Sequence, residues 1–262
     1  MKSGAVAMVV ALLLCGCNTT VDKQLPREAA VAMTGSPATL NDISRLLVIE
    51  GVGNVSDVSP GAAPDAEPAK FTLTHYQRVM QFGSGRWRQD LTRIPSGAPS
   101  DATVPQRQIT AVDGNVAYNM TADGKAIRQP DEIGKARRGE LYHHPTGFLQ
   151  AVFSERGKVS NTRTEGNFQA VDMTVDGVTY TMYVDPMTKL PAKITSMSGD
   201  ALMETSFDNW MDVQGHKMPG RITTKLGKWV ISDITAKQQT LAGNFGNLAA
   251  PKGVKESAAL TN

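Results

Sequence analysis

Beyond position 17 the sequence has no cysteine; its two cysteines are Cys15 and Cys17. The body therefore has no disulfide framework, no thiolate metal site and no cysteine nucleophile, and its stability rests on its core. Histidine is scarce too, at four residues. His143 and His144 are adjacent and point in different directions on a helix, which makes a poor chelate without a third ligand. His75 and His216 stand alone, one in a strand and one in a turn. No metal and no cofactor is expected. Aromatics make up 6% of the chain, and 27 Lys and Arg nearly balance 25 Asp and Glu. With its basic residues scattered, the chain has no nucleic-acid surface and no need of a polyanionic partner. It has no GxSxG elbow and no GxxxxGK[ST] loop. Gly51-Val52-Gly53 lacks the third glycine and the following helix of a dinucleotide fingerprint, and reads as glycines in a bent strand. Asp172 with Asp176, and Asp208 with Asp212, are spaced as strand-end and turn residues rather than as a glycosidase pair. No unit of 20 to 50 residues repeats.

What is present begins with a leader. Met1-Lys2 gives a short positive start, and AVAMVVALLL is too brief to span a bilayer as a permanent helix. The run ends in Leu14-Cys15-Gly16-Cys17, which resembles the lipobox of bacterial lipoproteins. A leucine stands three residues before the acceptor, with a small residue immediately before Cys17. The resemblance implies that residues 1–16 are a signal peptide, that cleavage precedes Cys17, and that its sulfur and new amino group are acylated. Asn18 after the acceptor implies sorting to the outer membrane, with the body facing the periplasm. An ordinary secretory signal is the alternative. Cleavage leaves a body of roughly 250 residues, enough for one core with peripheral loops.

Residues 17–39 read as a flexible tether rich in Thr, Ala, Pro and Gly, and Leu40 to Leu47 as a short helix. From there period-2 alternation dominates. Strands are expected over 47–53, 70–82, 86–93, 106–112 and 115–120, with Phe71, Leu73, His75, Gln77 and Val79 on one face of the second. In the third, Trp87, Gln89 and Leu91 share a face opposite Arg86, Arg88 and Asp90. Residues 130–153 are the one substantial helical region, broken at His143-His144-Pro145 because proline cannot continue a helix. Residues 167–210 then form a meander of four antiparallel strands. Its central reversal is Asp185-Pro186-Met187-Thr188-Lys189, where proline pre-sets one dihedral and the aspartate bonds the backbone. Two more strands follow, over 219–226 and 229–237, and residues 242–262 read as a loose tail. The fold class is mainly β (α+β): one curved antiparallel sheet of about 10–11 strands with short helices covering its concave side. A closed up-and-down barrel is the nearest competitor.

Residues 40–241 resemble the outer-membrane lipoprotein carrier (LolA- and LolB-like) superfamily, the half-barrels that chaperone lipids or lipoproteins. The run TMYVDPMTKLPAKI is similar to that group's strand, turn and returning strand, and Phe207 to Ile222 resembles the strand pair that follows. A closer likeness is to the domain that precedes a metallo-β-lactamase-type hydrolase in some bacterial proteins. Similar runs there match EGVGNV, SGRWRQDLTR, QITAVDGNVAYN, ELYHHPTGFLQA and YVDPMTKLP. The hydrolase itself and its metal-binding HxHxDH run are missing here, so the resemblance argues against an enzyme.

The resemblance implies a non-enzymatic lipoprotein that binds a lipid, an acyl chain or a lipidated peptide in an apolar groove. Candidate groove residues are Met80, Trp87, Met120, Phe148, Leu149, Met182 and Met197. Methionine suits irregular apolar ligands, and the chain has 12; the competing reading of each is ordinary core filling. Arg86, Arg88 and Arg93 are either a headgroup-contacting rim or a solvated strand face. Two other functions compete. One is a structural or accessory envelope lipoprotein that works by contact with another envelope protein, for instance a separately encoded hydrolase. The other is a hydrolase that needs polar groups converging in one pocket, with His143, His144 or His75 among them.

Overall fold

The reversal at Asp185 works through its side chain: Oδ1 accepts the amide N–H groups of Met187 and Thr188 at 2.9 and 2.8 Å. The strands it joins are set by alternation on either side. The computed structural model describes residues 23–40, 46–57, 66–98, 104–243 and 246–256. Cys17, the leader and most of the helix expected over 40–47 lie outside the described residues.

Among the described residues, six strands precede the central helices: β1 (Leu47–Asp57), β2 (Ala69–Gln81), β3 (Arg86–Pro95), β4 (Gln106–Asp113), β5 (Val116–Met120) and β6 (Ala126–Arg128). After the helices come β7 (Lys158–Glu165), β8 (Phe168–Val175), β9 (Val178–Val184), β10 (Pro191–Ser198) and β11 (Ala201–Asp208). A small pair follows, β12 (Met211–Val213) and β13 (His216–Met218), and then β14 (Arg221–Leu226) and β15 (Trp229–Leu241). Thirteen of these form one antiparallel sheet in the order β6-β5-β4-β3-β2-β1-β15-β14-β11-β10-β9-β8-β7, with β12 and β13 as a separate ribbon. The two halves join where β15 returns beside β1. β6 and β7 do not pair, so the sheet is curved but open, and the closed barrel does not form. The strands exceed the expected 10–11 because β6 and the β12–β13 ribbon are three residues per strand. β7, KVSNTRTE, is an edge strand without apolar alternation. Both edges are blunted: β6 by its length, and β7 by a register shift between Ser160 and Arg163 with Asn161 at φ 54.

Two irregularities shape the centre of the sheet. The β2–β3 register shifts between Leu73 and His75, so one extra residue flips the alternation. Leu73 thus shares the inner face with Tyr76 and Met80, while Val79 packs on the outer face with Leu46, Val48 and Leu248. The expected common face for Leu73 and Val79 is corrected by this bulge. In β1, Gly53 lies so close to β15 that a Cβ would sit 1.9 Å from the Asp233 carbonyl oxygen. The bent-strand reading of that glycine pair holds.

The inner face carries the main core. α1 (Gln24–Thr34), α2 (Asp131–Gly139), a 3-10 turn over Glu140–His143 and α3 (Pro145–Phe153) cover it. The break falls at Pro145, as proline chemistry requires, and the His144 side chain caps α3 by accepting the Thr146 N–H. α1 occupies the middle of the expected tether. Leu25, Ala29, Ala30 and Met33 recur at helical spacing and are buried in the core, which overrides a composition that looked like linker.

The outer face is covered in part by the C-terminal segment, including α4 (Lys252–Glu256). Leu248, Ala250 and Val254 are buried against Val48, Val79, Ala111 and Tyr118. Asp113 fixes it, accepting from Arg86 Nε (2.6 Å), Lys255 Nζ (2.7 Å) and the Ala250 amide (3.0 Å). Residues 246–256 are therefore packed, where a loose tail was expected. Three apolar residues at wide spacing are too few to show as a pattern.

Candidate functional site

Under the helical cover the core leaves a recess of about 260 Å³. Ile49 and Val55 of β1, Met80 of β2, Met203 of β11, Ile222 of β14 and Ile234 of β15 give it apolar walls. Polar groups gather where residues 140–144 cross the sheet. Arg78 Nη2 donates to Glu140 Oε2 at 2.7 Å, and the guanidinium stacks over the Trp87 ring at 4.4 Å. The Tyr76 side chain lies beside the same guanidinium and also lines the recess. On the other side His143 Nε2 lies 2.8 Å from Ser196 Oγ, and Nδ1 lies 3.3 Å from Thr205 Oγ1, which continues to Thr224.

Both histidines are neutral. Burial lowers His143 to about 4, against the opposing pull of its bond to the Ile194 backbone. Burial and then the Arg78 charge lower His144 to about 3. His144 Nδ1 accepts the Thr146 amide at 3.3 Å, so its single proton sits on Nε2. That Nε2–H and the Arg78 Nε–H are buried donors without an acceptor. Leaving such donors unmade costs about 1–3 kcal/mol each.

Of the residues expected to line a groove, Met80 does so. Trp87 is buried beneath Arg78, its indole N–H donating to the Arg137 carbonyl at 2.6 Å. Phe148, Leu149 and Met182 are fully buried in the core. Met120 packs on the outer face beside Ala250 and Val254, and Met197 is 57% exposed, so neither faces the recess. Apolar character on a strand does not specify which side chains the helices above leave without neighbours. Arg78, Glu140 and Met203 line the recess and were not named as site residues. Arg78 was findable, since it shares its alternation with Met80. Arg86 pairs with Asp113 and Arg93 with Asp57, and neither they nor Arg88 line the recess.

Among the described residues no group of three or more His, Cys, Asp or Glu is placed to hold a metal ion. His143 lies between Ser196 and Thr205, so its second ring nitrogen meets a hydroxyl where a serine triad has a carboxylate. Among the described residues no helix is long and apolar enough to cross a membrane.

The class is thus a curved antiparallel half-barrel with short helices on its inner face and one polar-ended recess between the two layers. No protein-family model matches the chain, and no curated protein matches it. Among solved structures it is similar to a LolA superfamily protein from Nitrosomonas europaea, at 14% identity and TM-score 0.47, covering 85% of this chain and 96% of that one. It is also similar to a DUF1329 family protein from Desulfovibrio piger, at 9% identity and TM-score 0.39, covering 78% and 89%. At these values neither likeness brings a residue role or a ligand to this chain.

Proposed function

We propose that this protein is a non-enzymatic lipoprotein, acylated at Cys17 and held at the periplasmic side of the bacterial outer membrane, that binds a single acyl chain in its recess. The observation that supports the ligand is an interior left partly open between strand-borne isoleucines and methionines, inside an otherwise closely packed core. Burying a chain against those walls contributes about 0.8 kcal/mol per methylene. The recess lies just below the range of about 300–1,000 Å³ usual for small-molecule pockets. It suits one chain of moderate length rather than a whole lipid. The lipobox-like Leu14 to Cys17 supports the anchor.

The test is lipid extraction of the purified protein followed by mass spectrometry, beside an Ile222→Trp variant that fills the recess. Acyl lipid in the native protein and its loss in the filled variant, at equal folding, is the expected result. Repeatedly empty extracts, or equal lipid in both proteins, exclude the reading. For the anchor, labelled palmitate incorporated by the native chain and absent from Cys17→Ser is expected.

One observation favours the accessory reading as a second choice. Met197 and Leu202 are paired neighbours on the outer face, and both are exposed beyond the reach of the C-terminal cover. If contact with an envelope protein is the task, Met197→Ser with Leu202→Ser abolishes cross-linking in whole cells and leaves lipid content unchanged.

A further inference from the structure

The recess is polar at one end in an unusual balance. Its fixed charges cancel, because Arg78 is paired with Glu140 at 2.7 Å and both histidines are neutral. The unpaired donors nearby, Arg78 Nε–H and His144 Nε2–H, are shielded from the recess by neighbouring atoms and are not offered to a guest. A free carboxylate brought here loses its hydration, meets no net positive charge and faces the Glu140 carboxylate. An ester carbonyl loses far less hydration and carries no charge to be repelled by Glu140.

Resting on the acyl-ligand reading above, we infer that the recess selects an acyl chain with an uncharged carbonyl head, that of an ester, over the same chain ending in a free carboxylate. Glu140 supplies the discrimination by cancelling the charge of Arg78 at the polar end of the recess. The walls formed by Ile49, Ile222 and Ile234 hold the chain whichever head it carries.

Decanoate and glycerol monodecanoate test this against the full chain carrying Cys17→Ser, which keeps it free of its own acyl groups. Each is titrated at neutral pH in competition with a neutral fluorescent probe. The ester is expected to bind at least about tenfold more tightly, a difference of about 1.4 kcal/mol. In Glu140→Gln, which leaves Arg78 uncompensated, the advantage of the ester over decanoate is expected to shrink to less than about threefold. Equal binding of the two ligands to the native recess overturns the selectivity and leaves acyl binding standing. So does an ester advantage that Glu140→Gln leaves unchanged. Binding of neither ligand overturns both readings.

Discussion

Arg78 of β2 and Glu140 of the 3-10 turn meet at 2.7 Å across 62 positions of sequence, and their side chains are unequally buried, at 17% and 38% exposed. The pair ties the helical cover to the sheet at the polar end of the recess. Because Arg78 is the more enclosed partner, removing Glu140 strands a charge, whereas removing Arg78 leaves a carboxylate that can turn to water. Glu140→Gln is therefore expected to cost about 1–3 kcal/mol of stability, and Arg78→Met, which keeps an apolar stem on Trp87, less than that. Urea denaturation gives the order, and the reverse order contradicts the assignment of burial.

Neutral buried histidines make stability depend on acid. In the unfolded chain His143 and His144 take up protons near 6.5; folded, they resist to about 4 and about 3. Their contribution is complete above 6.5 and is lost as pH falls from there towards 3. Each histidine accounts for up to about 1.4 kcal/mol per pH unit within that window. Denaturation midpoints between about pH 7 and about pH 5 are expected to fall for the native protein and to fall less steeply for His143→Gln and His144→Gln. Slopes that stay identical in both variants contradict this.

Methionines and aromatics divide by location rather than by type. Phe148→Ala, in a fully packed site, is expected to cost about 3–5 kcal/mol. Met197→Ser, at an exposed position, is expected to stay within about 0.5 kcal/mol of the native protein. Met80→Ala belongs at the lower end of the usual 2–5 kcal/mol for such a truncation, since part of its surroundings is already open. Thermal denaturation of the three variants side by side reads the ranking.

Gly53→Ala is the sharpest backbone test. The added methyl would sit 1.9 Å from the Asp233 carbonyl oxygen, so β1 and β15 must separate locally. A loss of more than about 2 kcal/mol is expected, from overpacking against backbone that has no rotamer to give. Faster amide exchange in β15 locates the damage; an unperturbed β15 with full stability shows that the strands do not approach so closely.

The meander was legible because its information is local. Phe168, Val171, Met173, Tyr180, Met182 and Ile194 alternate with polar residues, and Asp185 carries its own turn. The helix break at Pro145 was legible for the same reason. What was not legible depends on distant partners. The bulge between Leu73 and His75 leaves no mark in composition, and it decides that Tyr76, Arg78 and Met80 face inward. α1 was hidden by its small residues: Ala29 and Ala30 look like linker until a sheet is there to receive them. The recess is harder still, since it is defined by what β1, β11, β14 and β15 fail to touch. Sequence supplies side chains but not vacancies. Met120, Met182 and Met197 read alike on the page and end up outside, inside and in solvent.

The C-terminal segment sits on the outer side of the strands that wall the recess. Leu248 is wedged over Val48 and Val79, and Ala250 over Ala111. A sheet splinted on its back cannot flatten without loosening the splint. Any guest large enough to spread β1 and β2 must strain the seat at Asp113, more than half the chain away from Ala250 in sequence and on the far side from the guest. A fluorophore placed on the exposed Lys252 therefore senses occupancy through thirteen strands' worth of curvature, and its silence on loading means that the sheet holds its shape.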